Sequence, residues 1–212
     1  MGAITLIPRM PATRPTNFSR TVTAWLAAAR HPRFDRPCIE LVYQPMLELI
    51  RLLRAHSVKV YIVSGCAAEF MRIWSERVYG IPPEQVIGST VTTRFDVRHD
   101  QPVLVREGKI EFLDDAAGKP VGIDKFIGRR PIVAFGNSDK DRPMLQWTAA
   151  GSGPRLMGLI HHTDGDREWA YDRGSGVGHL DEALGEAHAR KWTIVDMKRD
   201  WKRVFAFEDD AT

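Results

Sequence analysis

One feature constrains this chain more than any other. Segments with helical apolar spacing alternate with short, continuous, β-branched runs. Residues 45–54 form an amphipathic helical pattern with Pro45 near its first turn. Residues 58–63 read as a buried strand ending at Ser64-Gly65, and 67–79 return to helical spacing before stopping at Gly80. Residues 86–91 are a second strand. Residues 92–112 alternate apolar and polar positions around Asp100-Gln101 and Glu107-Gly108, which predicts a β-hairpin excursion. The alternation then resumes: helix 119–126, strand 132–135, helix 142–150, strand 155–161, helix 181–188 and strand 192–195. Short apolar strands separated by helices predict an α/β fold, with a mostly parallel sheet covered by helices on both faces. Near the start, 8–15 is Pro/Arg-rich and irregular, and Asn17 or Ser19 could cap a helix through Trp25 to Ala29.

Composition excludes several alternatives. With 43% hydrophobic and 27% charged residues, the chain is too apolar to be disordered throughout. No apolar run approaches the ~18 residues that a membrane helix needs. Two cysteines, Cys38 and Cys66, cannot form a disulfide scaffold, and they point to a reducing compartment such as the cytoplasm. The net charge of +3 is uneven: residues 1–37 hold six arginines against Asp35, and the remainder is slightly acidic. No aromatic–basic motif accompanies that arm, so neither nucleic acid nor membrane is an expected partner. The arm has the composition of a mitochondrial transit peptide, but a solvated linker and helix is the simpler reading. Leu6 stands where a myristoylation signal needs Ser or Thr, and 3–7 is too short an apolar core for a secretory signal.

Ligands of parallel α/β sheets collect at the carboxyl ends of strands. Three such places carry chemistry. Ser64-Gly65 offers a hydroxyl and a backbone amide suited to a phosphoryl oxygen, at the start of a helix whose dipole favours an anion. Lys119, taken alone, reads as a solvated lysine at a helix start. In Gly136-Asn137-Ser138-Asp139-Lys140-Asp141, four oxygen-bearing side chains crowd the turn between a strand and a helix. Capping the helix needs only one of them, and the cluster suits a hard cation such as Mg2+. No Gly-x-Gly-x-x-Gly follows an early strand, which argues against a dinucleotide-binding fold.

In this order, these segments resemble the haloacid dehalogenase superfamily of phosphohydrolases, and among them the phosphoserine-phosphatase-like members. The match spans roughly residues 17–205. The resemblance implies a Rossmann-like core with a helical cap, Mg2+ dependence and hydrolysis of a small phosphorylated metabolite. It divides the chain into an arm (1–16), a cap remnant (17–45), the α/β core (46–205) and a tail (206–212). By the family's pattern, Ser64 and Gly65 would bind the phosphoryl group and Lys119 would offset its negative charge. Asn137 and Asp141 would hold or orient Mg2+, with Asp139 nearby. Lys140 stands where glycine or asparagine is expected, and would weaken Mg2+ binding unless it points outward.

One departure is fundamental. The family's nucleophile is the first aspartate of an Asp-x-Asp motif on a strand preceding Ser64. In residues 1–63 the only aspartate is Asp35, with no second aspartate two positions on. The expectation is therefore a phosphatase lacking its nucleophile, with little or no turnover; the alternative is a non-catalytic phosphate- or metal-binding module. A late start codon, an altered frame upstream or true loss would each produce this. The two strands that should flank the lost one, 58–63 and 132–135, would pair directly or accept 3–7 as a substitute, the latter being favoured. A second Asp-x-Asp, Asp164 and Asp166, follows His161-His162, but would require a permuted topology. Adjacent strand histidines point to opposite faces, so this segment is expected to serve surface or substrate-entry roles.

Overall fold

The computed structural model describes residues 15–211, with two compact units meeting between Leu113 and Asp114. That boundary falls inside the span read from sequence as one α/β core. The expected substitution by residues 3–7 lies outside the described residues, as does nearly all of the irregular segment 8–15.

The first unit contains helices α1 (Pro15–Ala28) and α2 (Gln44–Ala55), strand β1 (Ile62–Ala67), helices α3 (Ala68–Arg72) and α4 (Ser75–Tyr79), and strands β2 (Val86–Arg98) and β3 (Gln101–Phe112). Its sheet has the order β1-β2-β3, parallel for the first pair and antiparallel for the second. Met71, Ile81 and Val86 form a buried cluster, flanked by Ile50, Ile62, Phe70 and Trp74. Since α1 begins at Pro15, Asn17 and Ser19 lie within the helix and do not cap it.

Three sequence expectations need correction in this unit. Strand β1 begins at Ile62, where pairing with Val86 starts, so Ser64 and Gly65 lie within it, and it is half-buried along its length. The helix expected over 67–79 is two five-residue segments, interrupted where Trp74 leaves helical geometry (φ −129°). Trp74 packs edge-on to Phe70 and tilted against Tyr79, so aromatic packing outweighs helix continuity. A five-residue helix supplies little of the dipole expected at Ser64-Gly65. The hairpin is also longer than expected. Strand β2 runs unbroken to Arg98, and the turn falls at His99-Asp100, both with positive φ, as a two-residue hairpin turn requires. Glu107-Gly108 makes no turn; it lies where β3 uses four residues against two of β2, a bulge.

The second unit contains α5 (Gly118–Ile127), β4 (Val133–Gly136), α6 (Arg142–Ala149), β5 (Leu156–His161), α7 (Glu182–Arg190), β6 (Thr193–Asp196) and α8 (Met197–Asp200). Its three strands are all parallel in the order β4-β5-β6, with the helical crossovers that parallel pairing demands. Ile123, Leu145, Leu159, Ala183 and Met197 are buried, so the helices bring apolar side chains to the core. Helix α5 ends at Gly128, whose φ of +68° a side chain would strain.

Among the described residues, three of the four strand pairings are parallel, and the fold is α/β with helix-flanked sheets. The strands expected to pair across a lost neighbour do not pair with each other: β1 belongs to one sheet and β4 to the other. Cys38 and Cys66 are both free thiols. Among the described residues, no helix is long and apolar enough to cross a membrane.

Candidate functional site

Strand β4 ends at Gly136, and the chain turns through Asn137-Ser138 into a 3-10 turn, Asp139–Asp141, that leads into α6. The turn is built around one carboxylate. Asp141 Oδ2 accepts from the Asn137 backbone N–H (2.9 Å), the Ser138 backbone N–H (3.2 Å) and Ser138 Oγ (3.1 Å). Ser138 and Asp141 form a reciprocal capping box, so the sequence at this helix start does use a cap, with Asp141 at its third position. A Cβ on Gly136 would stand 2.3 Å from Asp141 Cβ, so only glycine lets the strand end pass this close to the carboxylate.

Lys119, in the first turn of α5, reaches the other oxygen: its Nζ lies 2.7 Å from Asp141 Oδ1. Lys119 is 7% exposed and Asp141 6%. Removed from water, the pair is held by four hydrogen bonds to the carboxylate, the condition under which a buried ion pair is tolerated. The reading of Lys119 as a solvated lysine is therefore overturned by its burial.

The other residues of the cluster separate by role. Asp139 Oδ1 accepts from the backbone N–H groups of Asp181 (3.0 Å) and Ala183 (2.8 Å), capping α7 from a distance in sequence. Lys140 points outward, 68% exposed, with Nζ 2.6 Å from Asp115 Oδ2. Asn137 turns its side-chain amide toward Tyr171 Oη (3.2 Å) and His162 Nε2 (3.3 Å). The His162 and Tyr171 rings stack at 4.2 Å, and His162 Nδ1 lies 3.4 Å from Glu168 Oε2. Burial pushes the Tyr171 phenol up to about 12, and the Glu168 and Asp141 carboxylates act in the same direction against the Asn137 hydrogen bond.

His162 is only 1% exposed, so the surface role expected for it is corrected, and Asp164 is likewise buried. Burial alone would raise the Asp164 carboxyl. The N–H groups of Arg167 and Asp166, with the Arg167 guanidinium, hold it below the usual carboxylate range. Asp166 instead pairs with Lys198 at the surface, and His161 faces Asp172. The second Asp-x-Asp is thus a turn and two ion pairs. Tyr171 and Glu168 were not legible as site residues. His162 follows the carboxyl end of β5, the signal that could have found it.

Ser64 and Gly65 belong to the first unit. Ser64 Oγ accepts from the Cys66 backbone N–H (3.2 Å), and the Gly65 carbonyl accepts from Ser89 Oγ (2.8 Å).

Among the described residues, no group of three or more His, Cys, Asp or Glu side chains is placed to hold a metal ion. The oxygens of the β4–α6 turn fit a smaller demand. Both amide hydrogens of Asn137 are directed to partners, and its Oδ1 accepts no hydrogen bond among the described residues. Asp141 Oδ1 takes one hydrogen bond and keeps a second lone pair. Hard oxygens of this kind are the ligand type that Mg2+ takes in small number while retaining several waters.

The fold and the site define an α/β domain in which a buried Lys–Asp pair organises the turn at a strand's carboxyl end. The chain belongs to the haloacid dehalogenase-like hydrolase family, whose model matches residues 4–146. No curated protein matches the chain. Among solved structures, a conserved functionally unknown protein from Anaerococcus prevotii DSM 20548 is similar at 20% identity and a TM-score of 0.49, over 73% of this chain. This chain spans 37% of that protein's length. A phosphoserine phosphohydrolase-like protein from Francisella tularensis subsp. tularensis SCHU S4 is similar at 15% identity and a TM-score of 0.44, over 81% of this chain and 69% of that one.

Proposed function

We propose that this chain is a phosphatase-type member of its family, whose β4–α6 turn binds Mg2+ and a small phosphomonoester but gives little or no turnover. The observation that carries the binding half is the Lys119–Asp141 pair, which fixes the turn so that Asn137 offers an uncommitted oxygen. The observation that carries the other half is the absence of any Asp-x-Asp motif from residues 1–63.

Asn137 Oδ1, with the free lone pair of Asp141 Oδ1, would hold the cation. When bound, Mg2+ would neutralise charge on a phosphoryl oxygen and polarise the phosphorus–oxygen bond. Asp141 supports the turn more than it contacts ligand, because Ser138 and the Asn137 backbone already occupy Oδ2. Lys119 supplies positive charge beside the same carboxylate. It reduces the repulsion that a phosphate would meet there, and phosphoryl transfer depends mainly on such positioning and charge. Asp139 acts one step removed, tying the turn to α7.

A covalent route needs a carboxylate nucleophile on phosphorus. With none in the expected motif, a phosphate- and metal-binding module without turnover is the form of this reading that the sequence favours. The test is a titration of the full chain with Mn2+ in place of Mg2+, following the Asn137 side-chain amide by NMR. Paramagnetic broadening centred on Asn137, reversed by excess Mg2+ and lost in Asn137→Ala, is expected. Broadening confined to other residues would remove the site.

A further inference from the structure

An asparagine side chain can present either its oxygen or its nitrogen to a ligand, and the two orientations fill nearly the same space. At Asn137 the choice decides whether the turn offers a cation an oxygen or an N–H group. The surroundings of His162 make that choice. Asn137 Nδ2 donates to Tyr171 Oη at 3.2 Å and lies 3.3 Å from His162 Nε2, which accepts the second amide hydrogen only when it carries no proton. The reversed amide would put Oδ1 against His162 Nε2, and would therefore require that nitrogen to carry the proton.

Glu168 forbids the reversal. Its Oε2 lies 3.4 Å from His162 Nδ1, and the two side chains are respectively 13% and 0% exposed. In the neutral ring only one nitrogen carries a proton. Were that nitrogen Nε2, the lone pair on Nδ1 would face a carboxylate lone pair in a largely buried site. With the proton on Nδ1, the ring donates to Glu168 and leaves Nε2 to accept from Asn137. The Tyr171 ring, stacked on His162 with planes 21° apart, holds the imidazole edge-on to both partners. The backbone N–H of Glu168 is anchored on the Asp164 carbonyl (3.0 Å), and that of Tyr171 on the His162 carbonyl (3.0 Å). His162, Glu168 and Tyr171 are thus held together by one local loop, against which Asn137 packs from the turn after β4.

We propose that Glu168, acting through the His162 tautomer and assisted by Tyr171, is a positioning residue that turns Asn137 Oδ1 outward as a cation ligand. The proposal rests on the cation-binding reading above. It adds that the orientation of the ligand amide is set by a carboxylate–histidine pair drawn from the segment after β5. Carboxylate–histidine pairs orient metal ligands directly in many sites, and removing such an outer partner costs roughly 10–100-fold in metal affinity. Here the histidine would act on a ligand and would not be one.

The experiment uses the full chain at pH 8, with 15N imidazole NMR for the His162 tautomer and Mn2+ broadening at Asn137 for affinity. The expected result is an Nδ1–H tautomer in the wild type and Mn2+ affinity weakened about tenfold in Glu168→Gln. Tyr171→Phe, which keeps the stacked ring and removes the acceptor oxygen, should weaken binding to a smaller degree. An Nε2–H tautomer in the wild type overturns the proposal whatever the variants do. Unchanged Mn2+ affinity in a folded Glu168→Gln or Tyr171→Phe protein overturns it while leaving the cation site intact. No Mn2+ effect at Asn137 in the wild type overturns the cation reading, and this proposal with it.

Discussion

Lys119 Nζ lies 2.7 Å from Asp141 Oδ1 across a gap of 22 residues, and both side chains are less than a tenth exposed. The pair joins the first turn of α5 to the turn after β4. Lys119→Met leaves a buried carboxylate without its counter-charge, and Asp141→Leu leaves a buried ammonium and three unpaired donors. Each single change should cost about 3–5 kcal/mol, measured by chemical denaturation. The double variant should cost clearly less than the sum, because the uncompensated charge has gone. Additive costs would mean that the two groups do not act as a pair.

Gly136→Ala should be poorly tolerated for a reason unrelated to backbone freedom. The new methyl would meet Asp141 Cβ at 2.3 Å and Cγ at 2.9 Å, and Asp141 cannot retreat without releasing Asn137 and Ser138. Overpacking of this kind costs roughly 1–3 kcal/mol. Thermal unfolding should show the loss, and Mn2+ binding at Asn137 should weaken with it. Full stability in the alanine variant would mean that the turn is looser than described.

Asp139 separates stability from binding. Asp139→Ala removes the acceptor for two N–H groups at the start of α7, a cap worth about 1–2 kcal/mol. Hydrogen exchange should rise first in α7, and Mn2+ affinity should stay near that of the wild type. A loss of Mn2+ binding with α7 intact would give Asp139 the ligand role that the family pattern suggests.

Much of this was readable from periodicity. The helices near 119–126, 142–150 and 181–188 and the strands between them depend on local apolar spacing, and the structure shifts their ends by one or two residues. The break at Trp74 was not readable, because it answers to Phe70 and Tyr79 packing around one ring. Lys119 and Asp141 can be nominated from a motif, but their mutual distance depends on how α5 packs against α6. Asp139 looked like a member of an oxygen cluster, whereas its hydrogen bonds go to residues more than 40 positions away. His162 was misjudged because burial after a strand's end depends on the loop that covers it, here through Tyr171.

Tyr171 sets an alkaline limit on stability. Its phenol is pushed up to about 12 by burial, from an ordinary value near 10 in the unfolded chain. Between those values the folded protein holds a proton that the unfolded chain has lost. The stability this contributes is fully present below about pH 10 and falls as pH rises toward 12. Burial raises the Tyr79 phenol as well, so ultraviolet titration should show late phenols, one of which is missing from Tyr171→Phe. A Tyr171 phenol titrating near 10 would contradict its burial.

The most direct measurement is steady-state hydrolysis of a generic phosphomonoester by the full chain, with and without Mg2+, beside Asp141→Ala. No Mg2+-dependent turnover above the blank is expected in either protein, because residues 1–63 hold no Asp-x-Asp motif to supply a nucleophile. Measurable Mg2+-dependent hydrolysis by the wild type, abolished in Asp141→Ala, would contradict that expectation.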